Sequence, residues 1–173
     1  MTEIDFTKIA EIMCEHGITV SVAESCTGGL LAKKLTDIPG ASKWFRGGVV
    51  AYDNNVKKSL LNISEYIIKD EGPVSETVAS YMATGIAEKM HTTISVSTTG
   101  NAGPTTQDGE VGDVWISVSD TSRERTIPLC MSHFFQFTGD RESVRKQAAD
   151  MAMILLSVRI IEIYDWNNRL EEG

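Results

Sequence analysis

Near the amino terminus the apolar residues Phe6, Ile9, Ala10 and Met13 recur three and four apart, the spacing of one helix face. Gly17 falls where such a helix would stop. From Ile18 to Val22 the period shortens to two, branched residues alternating with small ones, and a strand is expected. It runs into Glu24-Ser-Cys-Thr-Gly-Gly29, after which Leu30, Leu31 and Leu35 restore a helical period as far as Pro39-Gly40. A second strand is expected over 47–52, then a helix from Asn55 to Leu61 that Asp53 or Asn54 can cap. Ser75-Glu-Thr-Val78 opens another helix to about Met90, with Val78, Met82 and Ile86 on one face. Further strands are expected at 94–97, 114–118 and 125–131. Pro128 cannot donate to a ladder, which puts the last of these at an edge. Arg141 to about Tyr164 reads as a long terminal helix with Val144, Ala148, Met151, Leu155 and Val158 as its inner stripe.

Helices and strands alternate early and a hairpin-like pair comes late. That order implies an α/β sandwich with a mixed central sheet and helices on one or both faces. Residues 1–165 read as one domain and 166–173 as a polar tail. Ligands of such sheets gather at the carboxyl ends of strands, which singles out the loops at 24–29, 52–57 and 99–104.

Composition narrows the classes. With 173 residues and 42% hydrophobic content, a core can form without disulfides or a structural metal. Sixteen basic against 24 acidic residues, a net charge of −8, argues against general binding to nucleic acid or an anionic membrane. A pocket for one phosphate needs only a few groups and stays open. Cys14, Cys26 and Cys130 have no C-x-x-C spacing and read as free thiols. The acidic amphipathic start is unlike a signal peptide, and no apolar run is long enough to span a bilayer. A cytoplasmic protein is expected.

The loop at 24–29 follows a strand and opens a helix, where unpaired amides and the positive end of the helix dipole meet. With two glycines it is either a cradle for a phosphate, carboxylate or oxyanion, or a hydroxyl-capped turn. Ser25 and Cys26 compete as nucleophile. His16 and His91 lie near helix ends, and neither they nor His133 falls in a glycine-rich loop, so a Ser-His-Asp triad has little support. Lys57, on the first turn after Tyr52-Asp-Asn54, is the better base if its pKa is lowered. Lys58 points about 100° away, towards solvent. The segment Thr99-Gly-Asn-Ala-Gly-Pro104 can present hydroxyls and amides to a ligand or simply turn the chain. Arg141 or Arg145, after Gly139-Asp140, can hold an anion bidentately or lie on the surface of a capped helix.

Several segments together carry a resemblance: Val22-Ala-Glu-Ser-Cys-Thr-Gly-Gly29, Gly47-Gly-Val-Val-Ala-Tyr-Asp-Asn-Asn-Val-Lys57, Gly72-Pro-Val-Ser-Glu76, Thr99-Gly-Asn-Ala-Gly-Pro104 and Gly139-Asp-Arg141. In this order, over nearly the whole chain, they resemble the carboxy-terminal domain family of the competence/damage-inducible protein CinA. The resemblance implies a three-layer α/β/α domain. It also implies the activity of the stand-alone enzymes, hydrolysis of nicotinamide mononucleotide to nicotinate mononucleotide and ammonia. Ser25 would then be the nucleophile, Lys57 the base and Tyr52 an orienting or relaying group, with Cys26 a neighbour. Amides of Cys26, Thr27 and Gly28 would house the oxyanion. Thr27, Gly28, Gly29, Thr99 and Gly100 would hold the substrate, and Arg141 its phosphate. No metal or cofactor enters this chemistry. The partner expected is a small-molecule nucleotide substrate, with the chain itself a homo-oligomer. The pyrophosphatase activity of the family's other, molybdopterin-binding-like half is not expected.

One stretch departs from the family pattern. Asn101 stands where an apolar residue is usual, and Thr105-Thr-Gln-Asp-Gly-Glu110 replaces a glycine-rich run. Asp108, Glu110 and Asp113 bring negative charge to a loop expected near a phosphate. That favours two alternatives, a catalytically silent nucleotide-binding or regulatory module and an amidase for a related amide without the phosphate.

Overall fold

The computed structural model describes residues 5–106, 109–121 and 129–171. Helix α1 (Phe6–Glu15) leads to β1 (Val20–Glu24), α2 (Leu30–Thr36), β2 (Phe45–Val50), α3 (Asn54–Leu61), α4 (Glu65–Glu71) and α5 (Glu76–Met90). Then come β3 (Ile94–Gly100), β4 (Asp113–Asp120), β5 (Leu129–Gln136) and α6 (Arg141–Glu171). The sheet order is β2-β1-β3-β4-β5. β1 pairs parallel with β2 and β3, while β4 pairs antiparallel with β3 and β5. The expected mixed α/β sheet is present, between two helical layers.

Alternation along the strands decides what each face packs against. Val20, Val22, Ile94, Val96, Ile116 and Val118 share a core with residues of α1, α2 and α6. The opposite face is short and polar. Ser95 Oγ donates to the Ala83 carbonyl and Ser97 Oγ to the Ala79 carbonyl, both at 2.6 Å. Small hydroxyl side chains let α5 lie close on the sheet while satisfying their own polarity. Ala23, Leu61, Val78, Met82 and Ile86 form the second core around it. A Cβ at Gly85 would stand 2.4 Å from the Leu61 carbonyl oxygen, so α5 meets the end of α3 almost backbone to backbone.

Several boundaries differ from the periodicity. β1 starts two residues later and takes in Glu24; β2 starts two earlier, because the Ala51 amide makes its last bond to the Glu24 carbonyl. Thr98 to Gly100 belong to β3 rather than to a loop. Helix α4, capped by Ser64, is too short to show a period. β5 is an edge strand, as expected, but covers 129–136; the 125–128 part of the expected strand, with Pro128, lies outside the described residues. α6 continues to Glu171 through most of the expected polar tail, whose last two residues, 172–173, lie outside the described ones. Its inner stripe follows steps of four: Val144, Ala148, Ala152, Leu156 and Ile160 are buried, whereas Val158 is 45% exposed. The face drifts because α6 packs on β3 and β4 and also on α2 and α1. Arg159, also buried, pairs with Asp120 at the end of β4, its Nε 3.0 Å from Oδ2.

Candidate active site

The carboxyl ends of β1, β2 and β3 point the same way, and the segments leaving them converge on one cavity of about 160 Å³. Ser25 and Cys26 line it after β1, Tyr52 and Lys57 after β2, and Thr99 and Gly100 at the end of β3. Arg141, from the first turn of α6, completes the wall with Val74 and residues 101, 102, 105 and 106. Seven of the residues singled out in the sequence are thus brought together. Thr27, Gly28 and Gly29 are not among the lining residues.

Those three shape the turn instead. Glu24, buried, accepts the amides of Gly29 (2.9 Å), Leu31 (3.1 Å) and Ala32 (2.8 Å). The amino terminus of α2 is therefore not an open cradle, because a carboxylate of the chain already fills it. This corrects the anion-cradle reading of the helix start. The Gly28 amide donates to the Ser25 carbonyl at 3.2 Å, which removes it from the expected oxyanion donors. Among the described residues the amides of Cys26 and Thr27 donate to no backbone carbonyl. Ser25, 8% exposed, is tied to β3 by its own amide, 2.8 Å from the Thr98 carbonyl. Arg145 grips the other side of the turn, Nε on the Cys26 carbonyl at 3.1 Å and Nη2 on that of Thr27 at 2.8 Å. In a trans peptide the carbonyl and the next amide point oppositely, so this grip turns the Thr27 amide away from Arg145. Gly28 has φ +60°, and a Cβ there would come 3.0 Å from Arg145 Nη2.

Lys57 faces inward from α3, which Asp53 caps through the Asn55 amide at 2.7 Å. It is 2% exposed, and its Nζ donates to the Pro73 carbonyl at 3.3 Å. No carboxylate among the described residues lies within ion-pair distance of it. Burial pulls its pKa from 10.5 down to about 8, against the weaker opposing pull of Cys26 and Asp53. Lys58, on the outer face, pairs with Glu65 at 3.0 Å.

Cys26 is buried beside Ser25, and desolvation pushes its thiol up to about 12. At neutral pH only about one such thiol in 10⁵ is ionised, so the standing thiolate that favours a cysteine nucleophile is missing. Tyr52 is 58% exposed at the mouth, and its hydroxyl accepts from Arg141 Nη2 at 2.8 Å. Arg141 Nη1 donates to the Gly103 carbonyl at 2.6 Å. Thr99 Oγ1 donates to the Pro73 carbonyl at 2.7 Å. Gly100 is required by contact, since a Cβ there would stand 2.5 Å from the Asp113 carbonyl oxygen.

Two of the three acids in this loop, Glu110 and Asp113, turn their charge elsewhere. The Asp113 carboxylate accepts the Glu110 amide at 2.7 Å, Glu110 accepts from Gln136 Nε2 at 3.4 Å, and neither lines the cavity. Asp108 lies outside the described residues. Residues that the sequence reading left without a role are Glu24, Pro73, Val74, Thr105 and Thr106, along with Arg145 as a clamp. Pro73 was quoted in a motif, and Glu24 adjoins Ser25, but the contacts that give them roles are made by folding. Among the described residues no three of His, Cys, Asp and Glu form a metal-binding group, and no helix is long and apolar enough to cross a membrane.

A five-stranded mixed sheet between helical layers, with a serine turn and a buried lysine at one strand end, defines a three-layer α/β/α domain with a serine–lysine cavity. The chain belongs to the CinA C-terminal domain family, whose model matches residues 5–160. A CinA-like protein of Desulfotalea psychrophila is 41% identical over 150 residues, 86% of this chain and 35% of the relative. One from Dictyoglomus turgidum is 47% identical over 139 residues, 79% of this chain and 32% of the relative. The chain spans about a third of the length of these curated relatives. A crystal structure of a CinA superfamily protein from Klebsiella pneumoniae superposes with a TM-score of 0.82 at 29% identity, covering 90% of this chain and 95% of that one. The competence/damage inducible protein CihA from Agrobacterium tumefaciens gives 0.79 at 28% identity, covering 92% and 98%.

Proposed function

We propose that this domain is an amidohydrolase that converts nicotinamide mononucleotide to nicotinate mononucleotide and ammonia. The observation that carries the reading is Lys57, a buried lysine that shares a cavity with Ser25 and has no carboxylate within ion-pair distance among the described residues. With a pKa of about 8, about one Lys57 in ten is a free amine at pH 7, against about one in three thousand for an ordinary lysine. In the reaction proposed, the Lys57 amine takes the Ser25 proton as Oγ attacks the carboxamide carbon. The C=O π electrons move to oxygen, and the amides of Cys26 and Thr27 are its candidate donors. Collapse breaks the C–N bond, and the Lys57 ammonium supplies the proton with which ammonia leaves. Water, deprotonated by Lys57, then attacks the acyl carbon; collapse breaks the bond to Oγ, the Lys57 ammonium returns its proton to Ser25, and the carboxylic acid released loses its own proton to solvent as nicotinate. A cavity of about 160 Å³ suits one aromatic ring, as a 150 Å³ cavity admits benzene. Arg141 at the mouth is the candidate for the phosphate outside it, with Tyr52 orienting the nucleophile or relaying a proton.

A second reading, a silent nucleotide-binding or regulatory module, is favoured by Thr105 and Thr106, which line the cavity where the family loop is glycine-rich. Ammonia release from nicotinamide mononucleotide, measured for the wild type beside Ser25→Ala, separates the two. Release by the wild type alone is expected; a folded wild type that releases none refutes the deamidase.

A further inference from the structure

The Pro73 carbonyl, in the turn between α4 and α5, collects donors from two different elements. Lys57 Nζ reaches it at 3.3 Å from α3, and Thr99 Oγ1 at 2.7 Å from β3. Both side chains are buried, and both line the cavity that holds Ser25 and Cys26. We propose that Thr99 is a positioning residue for Lys57: it holds the Pro73 carbonyl and takes the shorter bond to it, leaving the side chain a weaker anchor for its ammonium form than an undivided carbonyl would give. The proposal rests on the reading of Lys57 as the proton acceptor.

Donor and acceptor counting gives the reason. A neutral amine that donates one N–H to Pro73 keeps a lone pair for a proton from Ser25. An ammonium ion has three N–H groups to satisfy, and among the described residues a single shared carbonyl accepts from them. The Thr99 O–H puts its positive end against that same oxygen, where it repels the charged form more than the neutral one. The remaining groups around Lys57 do little to reverse this. Cys26 is an un-ionised thiol at neutral pH, Tyr52 is a phenol at the mouth, and Arg141 adds positive charge. Glu24 is committed to the amides of α2. Asp53 favours the ammonium but ranks behind burial, and Lys57 ends at about 8. The 72–75 turn and the end of β3 bring no charge. Thr99 was expected to hold substrate, but its hydroxyl proton is spent on Pro73, so towards a ligand it can only accept.

The test follows the protonation of Lys57 directly, by NMR of nitrogen-labelled lysine across a pH titration, with the Lys57 signal assigned by its loss in Lys57→Met. Thr99→Val, Thr99→Ala and Thr99→Ser are compared with wild type, and circular dichroism checks their fold. Losing a neutral competitor should raise the Lys57 midpoint by about half a pH unit or more in the valine and alanine variants. The serine variant should stay at the wild-type value. The acidic limb of kcat/KM should move with the midpoint while KM changes little. If Thr99→Val does not fold, Thr99→Ala carries the same comparison. A midpoint that stays put in both variants overturns the proposal, as does a rise in KM with the acidic limb unmoved, which would make Thr99 a substrate contact. Because the titration needs no turnover, it still decides the role of Thr99 if ammonia release fails and the deamidase reading falls.

Discussion

Replacing Lys57 with methionine should abolish turnover and stabilise the fold. The two side chains are similar in length, but methionine brings no charge into a site that is 2% exposed. The fall of the Lys57 pKa from 10.5 to about 8 corresponds to about 3 kcal/mol at about 1.36 kcal/mol per pH unit. The sign is fixed by linkage. Below about pH 8 folded and unfolded chains both carry the ammonium, and the fold bears the full cost of burying it. Between about 8 and 10.5 the folded chain loses that proton first, so the unfolded chain binds more protons and stability rises with pH. Lys57→Met has no such term. It should exceed wild type by about 2–3 kcal/mol at pH 7, allowing for the lost bond to Pro73, and by under about 1 kcal/mol at pH 10. Urea unfolding of both proteins at the two pH values measures this, provided the m-values agree. A methionine variant no more stable than wild type at pH 7, or a gap that does not narrow by pH 10, would mean that the lysine is comfortably charged. The case for it as a base would then fail.

Three further outcomes can be checked. Glu24→Gln turns an amide NH₂ towards helix amides that already donate, which should cost about 2 kcal/mol in thermal or urea unfolding and lower kcat by displacing Ser25. An unchanged midpoint would contradict the capping role. Arg159→Ala removes the buried guanidinium bonded to Asp120 and should cost about 3 kcal/mol, while kcat of the folded fraction stays near wild type. A loss below about 1 kcal/mol would mean that water reaches the pair. With iodoacetamide at pH 7.5, mass spectrometry should find exposed Cys14 modified first and Cys26 essentially untouched, since Cys26 is buried with its thiol near 12. Rapid labelling of Cys26 would reopen its candidacy as nucleophile.

What was legible in the sequence was local. Asp53 and Ser75 cap the helices they were expected to cap, because a capping bond spans only two or three residues. The phase of α3 was enough to turn Lys57 inward and Lys58 outward. Alternation in β1 and β3 separated the two faces of the sheet, and Pro128 pointed to the edge. Errors arose where a strand is made of polar or small residues. Thr98, Thr99 and Gly100 read as a loop, yet they are strand because they pair with Val114 to Ile116 of β4, a partner no local pattern announces. The site's supports were hidden for another reason. Arg145 reaches the Cys26 carbonyl 119 positions away, and Lys57 meets Thr99 only through the backbone of Pro73. A backbone carbonyl has no residue-type signature, so no pattern of side chains announces it. The start of α2 could be read as a cradle for a ligand's anion, but the Glu24 carboxylate of the chain itself fills it.

Among the described residues, the loop between β3 and β4 is tied down chiefly at its neck. Its neck is closed by Asn101 and Asp113, joined at 2.8 Å, and by Gly112 and Asn101 at 2.7 Å, while Arg141 holds the Gly103 carbonyl. Ser25, Lys57 and their braces are anchored elsewhere, in β1, α3, the 72–75 turn and α6. The Ser25–Lys57 pair and this wall of the cavity are therefore carried by separable parts of the chain. Substitutions in the segment that joins β3 to β4 can recast what the cavity admits while Ser25 and Lys57 stay in place.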